Sequence, residues 1–169
     1  EVVAVTTTDN PEVQESYREG FKVIEFRPKN IYWVADKDRQ SVLKKAIWQS
    51  VDIWNPYVYR YISDVILAEK PSVVHVNKLR GLSPAVWAAA ARHRIPVVQS
   101  CHDFELISPE GSLESVVGQL AINRHWTIQP YQRLRAQLSN QVNVATAPSA
   151  FTLKTITEMG FFRKSKQAV

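Results

Sequence analysis

The sequence predicts an α/β fold, a parallel sheet flanked by helices. Short β-branched runs alternate with helical stretches along the chain, which is the order that builds βαβ units. The stretch Ser72 to Asp103, SVVHVNKLRGLSPAVWAAAARHRIPVVQSCHD, reads as one such unit in full: strand, turn, helix, strand. A second strand, polar turn and helix follow between Gln141 and Met159.

The composition fits a soluble fold of this kind. At 169 residues, 45% hydrophobic and 22% charged, the chain has the size of one domain with a substantial core. Its 1 cysteine excludes an internal disulfide and points to a reducing compartment. No apolar run reaches the length of a bilayer span, and no signal peptide is visible. The 21 Lys and Arg against 16 Asp and Glu give a formal charge of +5, which suits acidic partners: phosphates, nucleotides, nucleic acid or anionic lipid. The basic residues are scattered among acids, so a solvated surface accounts for most of them. Glu1 opens in mid-strand and Ser165 to Val169 reads as the start of another strand, so the chain is expected to be a fragment or an isolated domain.

Taken in order, Val2 to Thr7 is a strand with Asp9-Asn10-Pro11 as its exit. Phe21 to Phe26 is a second strand, followed by an aromatic loop, Asn30 to Val34. Ser41 to Trp54 has helical periodicity, with Val42, Leu43, Ala46, Ile47, Val51 and Trp54 on the expected buried face. Lys44, Lys45, Gln49 and Asp52 fall opposite, and Trp48 stands among them. Asn55 caps the next helix, Pro56 takes its first position, and Val58, Ile62, Val65 and Ile66 form its stripe to Lys70. Tyr57, Tyr59 and Tyr61 add aromatic surface. These aromatics and lysines admit two readings, core packing or a membrane interface.

In the βαβ unit, Ser72 to Val76 is the first strand and Asn77 to Leu82 the turn. Ser83 is placed as a cap with Pro84 at the first helical position, and the alanine run propagates the helix. Arg92, His93 and Arg94 complement the dipole at its end, Pro96 stops it, and Pro96 to Ser100 is the second strand. Phe104 to Ser112 is an irregular loop. Leu113 to Leu138 reads as largely helical with a bend at Pro130, locally basic through Arg124, His125, Arg133 and Arg135. Gln141 to Ala147 is a further strand, Ser149 the cap of a helix Ala150 to Met159, and Gly160 its stop.

Ligands of open parallel sheets bind outside the carboxyl ends of the strands. Those ends carry Asn77, Lys78, Arg80 and Cys101-His102-Asp103. A Cys–His–Asp nucleophile fails on geometry, because neighbours in an extended segment point to opposite sides. Cys101 reads as a core residue. His102 is the better candidate, able to donate to a hydroxyl or phosphate, with a loop hydrogen bond as the bland alternative. His75, inside its strand, reads as a satisfied core histidine. Asn77, Lys78 and Arg80 are anion-binding or solvated turn residues, and Ser149 opens a helix whose free N–H groups can also meet a phosphate. No phosphate loop, dinucleotide fingerprint, HExxH or CxxC pattern is present, and the histidines lack metal-ligand spacing, so no metal site is expected.

The run EKPSVVHVNKLRGLSPAVWAAAARHRIPVVQSCHDFELISPEG, followed by VNVATAPSAFTLKTITEMGFF, resembles the N-terminal half of family-four, GT-B-type glycosyltransferases. The match runs from about Glu69 to Gly160, and the order and spacing of the motifs carry it. The resemblance implies a Rossmann-like domain, one half of a GT-B fold, that supplies the acceptor site. The opposing C-terminal domain, which holds most of the nucleotide-sugar donor, and the family's first strand with its glycine-rich loop are absent. It implies His102 as the catalytic residue in the cleft, with Asn77, Gly81, Asp103 and Ser149 at matching positions around the substrate; Lys78 and Arg80, on the same turn, join them as substrate-binding candidates by position. Asn77 stands where many relatives have histidine. The implied activity is retaining transfer of a sugar to a glycan or lipid-linked acceptor in polysaccharide or cell-envelope synthesis. It needs no cofactor beyond the donor as co-substrate, and this domain is inactive alone.

The resemblance also strengthens the membrane reading, with Lys44, Lys45 and Trp48 as contacts and a cytoplasmic protein peripheral on the inner face of the membrane. A non-catalytic Rossmann-like ligand-binding or regulatory module is the alternative. Nucleic-acid binding rests on charge alone, with no motif behind it, and is not expected.

Overall fold

The computed structural model describes residues 1–108 and 129–169. The strands form two sheets. In the smaller, β1 (Val3–Thr7) pairs parallel with β3 (Phe21–Phe26), and β2 (Gln14–Arg18) lies antiparallel on the other side of β3. Sequence reading misses β2 because QESYR is polar on both faces. The structure explains this, since β2 is an exposed edge strand, where charge discourages further pairing. Its turn into β3 uses positive φ at Glu19 and at Gly20, the twist that a two-residue hairpin requires.

The larger sheet is parallel throughout, in the order β4 (Val74–Val76), β5 (Val97–Ser100), β6 (Val144–Thr146), β7 (Lys166–Ala168). The predicted α/β class and the parallel β4–β5 neighbours are therefore observed. Helix α3 (Ala85–Arg92) joins β4 to β5. Its alanines are small enough for close packing: Ala85, Ala89 and Ala90 are fully buried, and α3 packs on α2 (Pro56–Glu69). Trp87 fills the centre, edge-on to Phe162, and its indole donates to Gln99 Oε1 at 3.0 Å, so the buried N–H has a partner. Asn55 caps α2 as expected, accepting from the Tyr57 and Val58 amides. Helix α4 (Gln129–Leu138), a 3-10 turn (Ser139–Gln141) and helix α5 (Ala150–Glu158) complete the described elements. The rest of the predicted 113–138 helix, with Arg124 and His125, lies outside the described residues.

Helix α1 (Val42–Ile53) has its expected orientation reversed. Trp48 and Asp52 are each only 3% exposed, while Val42 (85%), Leu43 (71%) and Ile47 (44%) face outward. Tertiary hydrogen bonds outweigh hydropathy here. The Trp48 indole donates to the Tyr32 carbonyl at 3.0 Å and stacks on the Tyr32 ring, and Asp52 accepts from the Gly81 amide at 3.1 Å. Trp48 therefore cannot be the outward contact expected beside Lys44 and Lys45. The preceding aromatic loop runs into a 3-10 turn, Val34–Arg39, which has no apolar periodicity to announce it.

Candidate functional site

The carboxyl ends of β4, β5 and β6 lie side by side: Val76 is opposite Gln99, and Ser100 is opposite Thr146. Parallel pairing continues one residue further, where the Cys101 amide donates to the Thr146 carbonyl at 2.7 Å. The chain then releases Asn77, His102 and Ser149 at three neighbouring strand ends, the position at which open parallel sheets bind ligands.

His102 is exposed, and its Nε2 lies 3.2 Å from Asn77 Oδ1. A carbonyl oxygen only accepts, so Nε2 carries the proton in this pair. Beside it, Lys78 Nζ lies 3.3 Å from Asp103 Oδ2, while Asp103 Oδ1 accepts from the Glu105 amide at 2.9 Å. The two site loops are thus tied to each other twice. Ser149 caps α5, accepting from the Thr152 amide at 3.2 Å. Phe151, in the first turn of that helix, meets Phe104 edge-on and links α5 to the loop after His102. Cys101 faces the core. Burial, with Glu105 and Asp103 nearby, pushes its thiol up to about 12, so no thiolate is available at neutral pH.

The 77–82 turn is held from beneath by two carboxylates. Glu105 Oε1 accepts from the Leu79 amide at 2.8 Å, and Asp52 Oδ1 accepts from the Gly81 amide. Gly81 sits at φ +82°, a conformation that suits glycine. Arg135, itself only 2% exposed, donates to the Glu105 carbonyl at 3.3 Å and carries the nearby positive charge. Burial pushes the Asp52 carboxyl up to about 7, and Glu105 adds to the rise. Arg135, the Gly81 N–H and Arg80 pull it back. Burial, with Asp103 nearby, raises Glu105 as well, against the Leu79 N–H, Arg135 and Lys78. Sequence reading missed these supports. Asp52 passed as a solvated residue because its partner lies 29 positions away, beyond any local pattern.

The structure moves two expected residues. His75 is exposed rather than in the core. It is satisfied by Ser100 Oγ at 2.8 Å, which in turn meets Thr146 Oγ1 at 2.9 Å, a polar row across β4, β5 and β6. Arg80 does not join His102. It lines an open surface pocket of about 490 Å³ with Val34, Ala35, Lys37 and Asp38. Lys44 and Lys45 stand apart on α1.

The chain is 25% identical over 166 residues to an uncharacterized 42.6 kDa protein in the cps region of Klebsiella pneumoniae, covering 98% of this chain and 44% of that protein. The chain thus spans less than half the length of that relative. A crystal structure from Listeria monocytogenes, provisionally assigned as a UDP-N-acetylglucosamine 2-epimerase, aligns over 95% of this chain and 42% of its own. With a TM-score of 0.42 and 12% identity, that likeness carries no argument about function. The description of Glycosyltransferase Family 4 matches residues 1–169, the whole length, and by that match the chain belongs to glycosyltransferase family 4.

Proposed function

We propose that this chain is the acceptor-binding N-terminal domain of a retaining glycosyltransferase. The whole enzyme transfers a sugar from a nucleotide-sugar donor to a glycan or lipid-linked acceptor in polysaccharide or cell-envelope synthesis. The observation that carries this reading is the pairing of His102 with Asn77 at the open ends of β5 and β4, in a chain of this family. The cps-region relative supports the polysaccharide setting. The nucleotide of the donor is held mainly by a further domain, so residues 1–169 alone are inactive.

Negative charge grows on the leaving diphosphate in such a reaction, and fixed donors and cations offset it without a metal. On this side of the cleft, His102 offers its ring, Lys78 offers charge, and Ser149 opens a helix with free N–H groups, while Arg80 stands apart on the same turn. Asp103 holds Lys78, and Gly81 shapes the turn.

No helix among the described residues is long and apolar enough to cross a membrane. Peripheral attachment to the inner face of the membrane is supported by the outward Val42, Leu43 and Ile47, interleaved with Lys44 and Lys45.

The test is His102→Ala in the full-length protein, with product formation followed across a panel of nucleotide sugars. Transfer should fall by roughly 100-fold or more, while the thermal midpoint stays close to wild type because His102 is exposed. Transfer at the wild-type rate would remove His102 from the reaction.

A further inference from the structure

The cavity beside Arg80 has two walls and one support. One wall is the 3-10 turn Val34–Arg39, closed by the Asp36 amide on the Trp33 carbonyl and the Gln40 amide on the Lys37 carbonyl. The other is the 77–82 turn, through Arg80. Helix α1 fixes both. Trp48 and Asp52 are one helical turn apart, so they share a face. Trp48 grips the Tyr32 carbonyl on the first side, and Asp52 grips the Gly81 amide on the second. Asn30 adds a bond from its side-chain amide to the Trp48 carbonyl at 3.4 Å. The two walls are therefore tied to one helix by hydrogen bonds, the Asp52 bond buried and the Trp48 bond partly so.

Its lining is chemically mixed. Lys37, Asp38 and Arg80 all face it, and none of them is in an ion pair with another described residue. The balance is one positive charge. Val34 and Ala35 supply an apolar patch. A planar guanidinium facing solvent-accessible space without a carboxylate partner suits a carboxylate or phosphate, which it can hold through two parallel bonds.

We propose that this cavity is a subsite for an anionic group of the acceptor, a carboxylate or a phosphate, held between Arg80 and Lys37. The assignment rests on the acceptor-side reading of this domain. Arg80 forks the anion and Lys37 adds a point charge. Asp38 accepts from a hydroxyl of the same sugar, and Val34 and Ala35 meet its C–H face. The carboxylate of Asp38 disfavours a second anion at this place, so the subsite distinguishes a singly anionic sugar from a polyanion.

The experiment needs neither donor nor transfer. The chain 1–169 is titrated with methyl phosphate, with methyl glucuronide and with neutral methyl glucoside, and backbone amide shifts are read at Ala35, Lys37 and Arg80. Saturable, salt-sensitive shifts with an anionic probe and none with the glucoside support the subsite. Tighter binding of methyl phosphate identifies a phosphate-bearing acceptor, and tighter binding of the glucuronide an acidic sugar. Arg80→Gln should weaken the anion by roughly tenfold, and Arg80→Lys should recover part of it, since lysine keeps the charge and loses the fork. Equal shifts with the glucoside, no saturation with either anion, or unchanged affinity in Arg80→Gln would overturn the proposal. Transfer by the full-length protein that depends on His102, alongside a failed anion titration, would sink the subsite alone. Anion binding with transfer indifferent to His102 would sink the catalytic reading alone.

Discussion

Asp52 is the residue whose role was least legible. In sequence it is one more polar position on an amphipathic helix. In the structure its carboxyl is buried under Gly81 and raised to about 7. Folding therefore raises its proton affinity above that of the unfolded chain, where an aspartate titrates near 4. Between those two values the folded state holds a proton that the unfolded state has lost, so stability falls as pH rises through that window and levels off above it. The raised Glu105 adds to the slope in the same direction. Asp52→Asn keeps an oxygen for the Gly81 amide and removes the titration. Denaturant unfolding at acid and mildly alkaline pH should show a wild-type loss of roughly 3–4 kcal/mol at most, with a visibly smaller loss in the variant. Arg135 and Arg80, the cations that face Asp52, limit the gain from neutralising it. An identical pH slope in the two proteins would mean that Asp52 is ionised throughout. The position of His102 was legible for the opposite reason: it follows a strand end that contiguous residues define.

At the scale of the element, periodicity identified α1 correctly as a helix but misled about its orientation. Alternation of apolar and polar residues reports which face could be buried; it does not report where a partner waits. The partners here are the Tyr32 carbonyl, 16 positions before Trp48, and the Gly81 amide, 29 positions after Asp52. Two tertiary hydrogen bonds and a stacked ring set the face, and Val42, Leu43 and Ile47 turn outward as a result. The reversal is testable by stability. Trp48→Ala should cost about 3–5 kcal/mol, whereas Ile47→Ser should stay within about 0.5 kcal/mol, measured by urea unfolding. The reverse ranking would restore the orientation read from periodicity. The outward face carries the membrane reading, so Leu43→Ser with Ile47→Ser should reduce sedimentation with anionic vesicles while leaving binding to neutral ones weak. Vesicle binding unchanged in that variant would detach α1 from the membrane. The β4–α3–β5 unit, by contrast, was readable almost residue by residue. Its strands, cap, alanine run and stopping proline are contiguous, so local rules suffice.

Across the whole molecule, the α/β class and parallel pairing followed from element order. The split into two sheets did not, because sheet membership is decided by hydrogen bonds between distant strands. Among the described residues, the smaller sheet, residues 3–26, shares no strand pairing with the larger one. It is joined to α2 through side chains: Phe26 against Tyr57 and Tyr61, and Lys22 to Glu69 at 2.8 Å. Few contacts of that kind make a cooperative unit of its own. Native-state hydrogen exchange should then find the β1 and β3 amides opening at lower free energy than those of β5 and β6, which sit at the centre of the parallel sheet. A single common opening energy for all four strands would show that the sheets unfold together. The split also separates the candidate residues by position. His102, Asn77 and Ser149 follow strands of the larger sheet, while the chain leaving β3 runs on to the turn that carries Lys37. Trp48 on α1 holds the chain just before that turn and Asp52 holds the 77–82 turn, so the Lys37 and Arg80 walls are braced by one helix.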